Sequence, residues 1–194
     1  MQLIPQTTSS IHYTTIESLL ISAFPKTERR SLEQQREYTN NNSKFTVYAA
    51  VDKEKMVGFF TLWTFAEFCF VEHLAVFPQF RQQGYGTLML QEMKEQVHIP
   101  IFLETEIPFS ERQKLRQKFY EKNGFRKLEQ SYFQPPYGAN KTCFMMDLMM
   151  YGEIVAENAD ERDIKIYQYV KEIYKEVYSF TKIEDGMSFE YIIE

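Results

Sequence analysis

The chain predicts a mixed α/β (α+β) domain, and three observations carry that prediction. Runs of strand length, rich in apolar, β-branched and aromatic residues, recur through residue 150. One of them, within FCFVEHLAVFPQFRQQGYGTLMLQEMKEQV (68–97), passes through a turn with two glycines directly into an amphipathic helix. Further strand runs follow that helix, so strands stand on both sides of it. The 194 residues suit one domain with a small appendage, divided here into 1–151 and 152–194.

The elements follow in order. TTIESLLISAF (14–24) reads as a first helix, stopped by Pro25. The polar stretch 26–44 mixes helix and loop. KFTVYAAV (44–51) and MVGFFTLWTF (56–65) read as a hairpin around Asp52-Lys53-Glu54-Lys55. CFVEHLAV (69–76) is the next strand, ended by Pro78. The helix from about 84 to 97 places Met89, Leu90, Met93 and Val97 on one face, and Pro100 breaks it. IFLETE (101–106) is a fifth strand run. Ser110-Glu111-Arg112-Gln113 is a capping box opening another helix, which Asn123-Gly124 ends. FRKLEQSYF and KTCFMMDLMM read as paired final strands joined by the turn-rich loop QPPYGAN. Residues 159–178 carry a helical stripe of Ile166, Val170, Ile173 and Val177. That stripe suits a helix packed on the domain; a homodimer contact or an acceptor-site lid is the sharper alternative.

Composition narrows the function classes. A net charge of −5 with no basic tail argues against nucleic-acid binding by bulk charge. No apolar run approaches membrane-spanning length. MQLIPQTTSS lacks the charged and apolar segments of a signal peptide, so a cytoplasmic location is expected. Cys69 and Cys143 lie in apolar strand-like runs and read as small buried hydrophobes with reduced thiols. His12, His73 and His98 are scattered and form no metal-ligand pattern, so no metal is expected.

The glycine turn carries the chemistry. The first amides of a helix have no partner within it and bear partial positive charge, which makes a cradle for phosphate. Gly84 and Gly86 let the backbone approach such a ligand, and Arg81 adds a permanent charge. A P-loop would need Lys-Ser or Lys-Thr after the glycines, and a dinucleotide fold would need a third glycine; neither is present.

Arg81-Gln82-Gln83-Gly84-Tyr85-Gly86, preceded by the strand VEHLAV, resembles the acetyl-CoA motif of the GNAT superfamily of N-acetyltransferases. FYEKNGF (119–125) resembles that family's second landmark, in the right order and at the right spacing. The match covers most of residues 1–150. It implies the GNAT fold, a mixed central sheet of about six to seven strands flanked by helices, with splayed central strands. It implies acetyl-CoA as acetyl donor, its pantetheine arm paired with the backbones of Leu74 and Val76. Arg81 and the amides of Gln82, Gln83, Gly84, Tyr85, Gly86 and Thr87 would then hold the pyrophosphate.

The implied reaction is acetyl transfer to the primary amine of a small molecule or peptide. A Lys-like amine, pKa about 10.4, is neutral at pH 7 only about once in a few thousand, so deprotonation costs about 4–5 kcal/mol unaided. A carboxylate can take that proton, and a phenol can supply one to the leaving thiol. The resemblance places Tyr120 as the acid and Glu104 or Glu72 as the base. Strand parity puts Glu72, Leu74 and Val76 on one face, and Glu104 with Glu106 on one face; His73 points the other way. With splayed strands, both carboxylates would border one cleft. Where the family often carries Asn, seven residues before the tyrosine, this chain has Gln113, also the capping-box partner of Ser110. Glu72, Glu104 and Glu106 would favour a cationic amine, with Trp63, Phe65, Tyr132 and Tyr137 as an aromatic wall. The alternative from another class is a non-catalytic acyl-CoA-binding or regulatory module on the same fold.

Overall fold

The computed structural model describes residues 1–138 and 143–180, which fall in two units, Met1–His98 and Ile99–Glu194. Ala139 and Asn140 of the QPPYGAN loop, the first two residues of KTCFMMDLMM and the end of the C-terminal extension lie outside the described residues.

The first unit is built on an antiparallel meander. Strand β1 (Gln2–Gln6) pairs with β2 (Phe45–Asp52), β2 with β3 (Lys55–Thr64), and β3 with β4 (Cys69–Val76). The alternation of the sequence did not announce β1, a short edge strand that tolerates Pro5 because its outer side needs no ladder bonds. The β2–β3 turn is as short as a hairpin turn can be. Lys53 and Glu54 both take positive φ, 47° and 65°, as the right-handed twist of the flanking strands demands. β3 and β4 pack closely at Gly58, where an added Cβ would lie 2.4 Å from the Ala75 carbonyl oxygen. Three helices complete the unit: α1 (Tyr13–Ala23), α2 (Leu32–Asn41) and α3 (Tyr85–Gln96). α2 opens on a full capping box, Ser31 with Gln34. α3 turns Met89, Leu90 and Met93 inward, all buried.

In the second unit β8 (Phe144–Tyr151) is central. β5 (Ile101–Glu106) pairs along one edge of it, and β6 (Arg126–Lys127) and β7 (Tyr132–Gln134) share the other, all antiparallel. The run FRKLEQSYF is therefore two strands rather than one. Arg126 sits opposite Met150 while Tyr132 sits opposite Met146, so the two pieces meet β8 in different registers and the residues between them leave the ladder. Helix α4 (Glu111–Lys122) begins with the Ser110–Gln113 capping box. Helix α5 (Ala159–Tyr178) buries Ile166, Tyr169, Val170, Ile173, Tyr174, Val177 and Tyr178. It lies across the sheet, with Tyr169 against Phe102 at 5.9 Å and Tyr174 against Tyr132 at 5.6 Å between ring centroids. No helix among the described residues is long and apolar enough to cross a membrane.

Candidate active site

The strand–turn–helix segment forms the glycine turn between β4 and α3 that its sequence predicts. Gly84 is the N-cap of α3, at φ +85°, and no atom lies near where a Cβ would go. Conformation rather than crowding selects glycine here, because an L side chain is strained at that angle. Gln82 also takes positive φ, 60°. The helix ladder opens with Leu88 N–H donating to the Gly84 carbonyl at 3.0 Å, so the amides of Tyr85, Gly86 and Thr87 stand before it. Arg81, Gln82, Gln83 and Gly84 are exposed. The Arg81 Nε donates to the Val76 carbonyl at 3.1 Å, which ties the motif's arginine to the end of β4. The Tyr85 hydroxyl donates to Asp52 at 3.2 Å and anchors the helix start to the hairpin turn.

β4 presents its backbone in an alternating way. Phe77 N–H reaches Val57 on β3 at 3.0 Å, and His73 N–H reaches the Thr61 hydroxyl at 3.0 Å. Alternation then turns the amide and carbonyl of Leu74 and Val76 to the edge away from β3. Those are the two residues expected to hold an added extended ligand.

Glu72 is buried in an ion pair. Its carboxylate accepts from Arg30 at 2.5 and 3.0 Å and from the Trp63 indole at 2.9 Å. The two side chains are 0% and 4% exposed, the carboxylate having no exposed surface. Arg30 also packs over the rings of Tyr38 (4.8 Å), Phe45 (5.2 Å) and Trp63 (5.5 Å). Burial pushes the Glu72 carboxyl up, but the opposing groups, led by the Arg30 guanidinium, outweigh it and hold it below the usual carboxylate range. His73 does not point clear of Glu72 as strand parity suggests: its Nδ1 lies 3.8 Å from the Glu72 carboxylate while its Nε2 meets the Glu28 carbonyl oxygen at 3.0 Å, and burial pushes its imidazole below the usual histidine range. Arg30 lies in the polar stretch 26–44, where its only local signal is its position directly before the Ser31 capping box.

Glu104 is held differently. It is half-buried on β5. Its carboxylate accepts from the Tyr132 hydroxyl, from Gln134 at 2.5 Å and from the Tyr178 hydroxyl at 2.9 and 2.8 Å. Burial, and then the Glu104 charge, push the Tyr132 phenol well above its usual range, so it stays a donor at any working pH. Glu106, on the same face, is paired with Arg116 at 2.6 Å. Tyr120, in the last turns of α4, is buried at 9% exposure, and its hydroxyl makes no hydrogen bond among the described residues. Burial pushes its phenol up, so it too holds its proton at neutral pH. The Gln113 side chain accepts from the amides of Phe109 and Ser110 and is thus engaged in the helix cap.

Of the expected aromatic wall, Trp63 is covered by Arg30, and Phe65 is buried against Phe68 at 4.3 Å. Tyr132 is buried beside Glu104, and Tyr137 is half-buried against Tyr178 at 4.9 Å. Gln134 and Tyr178, which also meet Glu104, are not among the residues expected from the sequence. A signal for the latter existed: Tyr174 and Tyr178 are spaced i, i+4 beside the apolar stripe, so both face the sheet.

Residues 43–127 match the model of the acetyltransferase (GNAT) domain family. No curated protein matches the sequence. A protein from Bacteroides thetaiotaomicron assigned to the GNAT acetyltransferases is similar in structure with a TM-score of 0.84 and 37% identity, over 92% of this chain and 98% of that one. The fold is also similar to an aminoglycoside 6'-N-acetyltransferase complexed with coenzyme A (TM-score 0.59, 17% identity, 81% and 100% of the chains). A GNAT acetyltransferase from Elizabethkingia anophelis with acetyl-CoA bound is similar as well (TM-score 0.55, 21% identity, 78% and 97%). The family model spans the cradle, β4 and the FYEKNGF landmark, and the 37% identity extends over nearly the whole chain, so this protein belongs to the GNAT family of acetyltransferases.

Proposed function

We propose that the protein is an acetyl-CoA-dependent N-acetyltransferase that acts on a primary amine of a small molecule or peptide. One observation carries the reading: the turn from β4 through Gly84 into α3, exposed from Arg81 to Gly84, with the amides of Tyr85 and Gly86 before the helix ladder and Arg81 beside them. The residues present fit a CoA ligand. The amides of Gln82–Thr87 and Arg81 would hold the pyrophosphate, and the edge groups of Leu74 and Val76 would pair with the pantetheine arm. The bound donor supplies an activated acetyl thioester.

The chain's own residues supply proton handling and orientation. In this reading Tyr120 is the acid; a phenol kept protonated by burial suits the release of a thiolate with a Cys-like pKa near 8.5. Glu104 is the base we favour, taking a proton from the acceptor ammonium directly or through a water. It is held by phenols and an amide, which can rearrange around a proton, whereas the carboxylate of Glu72 is committed to the Arg30 guanidinium. Glu72 would then act by holding Arg30, not by touching substrate.

The test is thermal unfolding with and without saturating acetyl-CoA. At about a hundred times the dissociation constant, binding adds roughly 2.7 kcal/mol, a rise of about 5–10 °C for a chain of this size. A rise supports the cradle and opens an acceptor screen that starts with polyamines and small peptides. A folded protein with no rise overturns the reading. A rise with no turnover on any amine favours the non-catalytic binding module.

A further inference from the structure

The C-terminal helix reaches the carboxylate that the proposed function uses as base. Tyr178 is the last residue of α5, and Ser179 after it takes positive φ, 54°, ending the helix there. The Tyr178 ring is 7% exposed. Its hydroxyl lies 2.9 and 2.8 Å from the two oxygens of Glu104 and accepts from the Gln134 amide at 3.3 Å. One turn earlier, the Tyr174 hydroxyl donates to the Phe133 carbonyl on β7, which pins the end of α5 to the strand that carries Tyr132 and Gln134. A tyrosine that only filled space would not need its oxygen centred on a carboxylate.

We propose that Tyr178 is a positioning residue for Glu104, so that the C-terminal helix, outside the region the family model matches, completes the base. The inference rests on the reading of Glu104 as base. A phenol can both donate to a carboxylate and accept from a carboxylic acid. Tyr178 can therefore hold Glu104 in one orientation before and after the base takes a proton from the ammonium, when an N–H bond breaks and an O–H bond forms. Among the described residues, the groups facing Glu104 include Tyr132 and Gln134 from β7 and Tyr178 from α5; Tyr174 on α5 and Tyr137 stand behind them.

The experiment compares the wild type with Tyr178→Phe, which removes one oxygen and keeps the ring. The Glu104 titration is followed by NMR of protein labelled at the Glu carboxyl carbon, with Glu104→Gln identifying the signal. Removing a donor to the charged form favours the acid, so the titration should move to higher pH. In turnover with acetyl-CoA and spermine or a lysine-containing peptide, kcat/KM should fall about five- to tenfold at the acid end, within about twofold of wild type on the alkaline plateau. An unmoved Glu104 titration overturns the positioning role, whatever the turnover. A moved titration with Glu104→Gln fully active instead removes Glu104 as base and leaves the contact standing.

Discussion

Two strand carboxylates, Glu72 in the first unit and Glu104 in the second, are both surrounded by hydrogen-bond donors, yet they are held by different chemistry. Glu72 meets a guanidinium that is itself enclosed by three aromatic rings. That permanent cation, with the His73 ring and the Trp63 indole, favours the ionised carboxyl and holds it below the usual carboxylate range despite burial. Glu104 meets two phenols and an amide. Those donors orient the carboxylate and can rearrange when it takes up a proton. The contrast teaches that a buried glutamate is a candidate base or a structural ion according to its partners, and that strand parity cannot distinguish the two.

The largest expected effect sharpens the Glu104 side. Glu104→Gln should lower turnover by about 10²–10⁴-fold while acetyl-CoA still raises the melting temperature, since general-base contributions fall in that range. Steady-state turnover alongside the thermal shift checks it; wild-type turnover would sink the assignment. Next comes the Glu72 side. Arg30→Met should destabilise the protein by about 3–5 kcal/mol, because it leaves a buried carboxylate without its cation. Arg30→Met with Glu72→Gln should recover much of that loss, which urea unfolding would read. If the double variant is no better than the single one, the pair is not what holds this region.

A smaller effect follows from pH. His73 is depressed in the folded state, so the unfolded chain binds a proton at higher pH than the folded one does. Its contribution is complete above the unfolded value of about 6.5 and is lost as pH falls through the folded one. Glu72 is depressed too, and its contribution is lost only below about 4.3, the unfolded glutamate value. Trp63, the chain's one tryptophan, sits against this pair, so its fluorescence reports the first unit. The urea midpoint by that signal should fall from pH 8 to pH 5, and less so in His73→Asn. A flat midpoint would contradict the buried neutral imidazole.

Much of this protein was legible in its sequence where local rules decide. The hairpin around Asp52–Lys55, the strand 69–76, the glycine turn, the Ser110 capping box and the helix 159–178 all follow from short-range signals: alternation, caps, helix breakers and helical period. The family resemblance was legible for the same reason, since a cradle made of consecutive amides is written in consecutive residues. Less legible was β1, whose pairing with β2 is a long-range event in a stretch with little alternation. So was the break between β6 and β7, which the register of β8 imposes from outside the run.

By itself, then, the sequence determined most of the element types and the glycine turn, and its family resemblance named the candidate acid and bases. Only the tertiary structure decided what those bases are bonded to. Arg30 comes to Glu72 across 42 positions of chain, and Tyr178 to Glu104 across 74. The physical reason is that a carboxylate's role depends on the few ångströms around it, and residues distant in sequence fill that space only once the sheet and helices have packed.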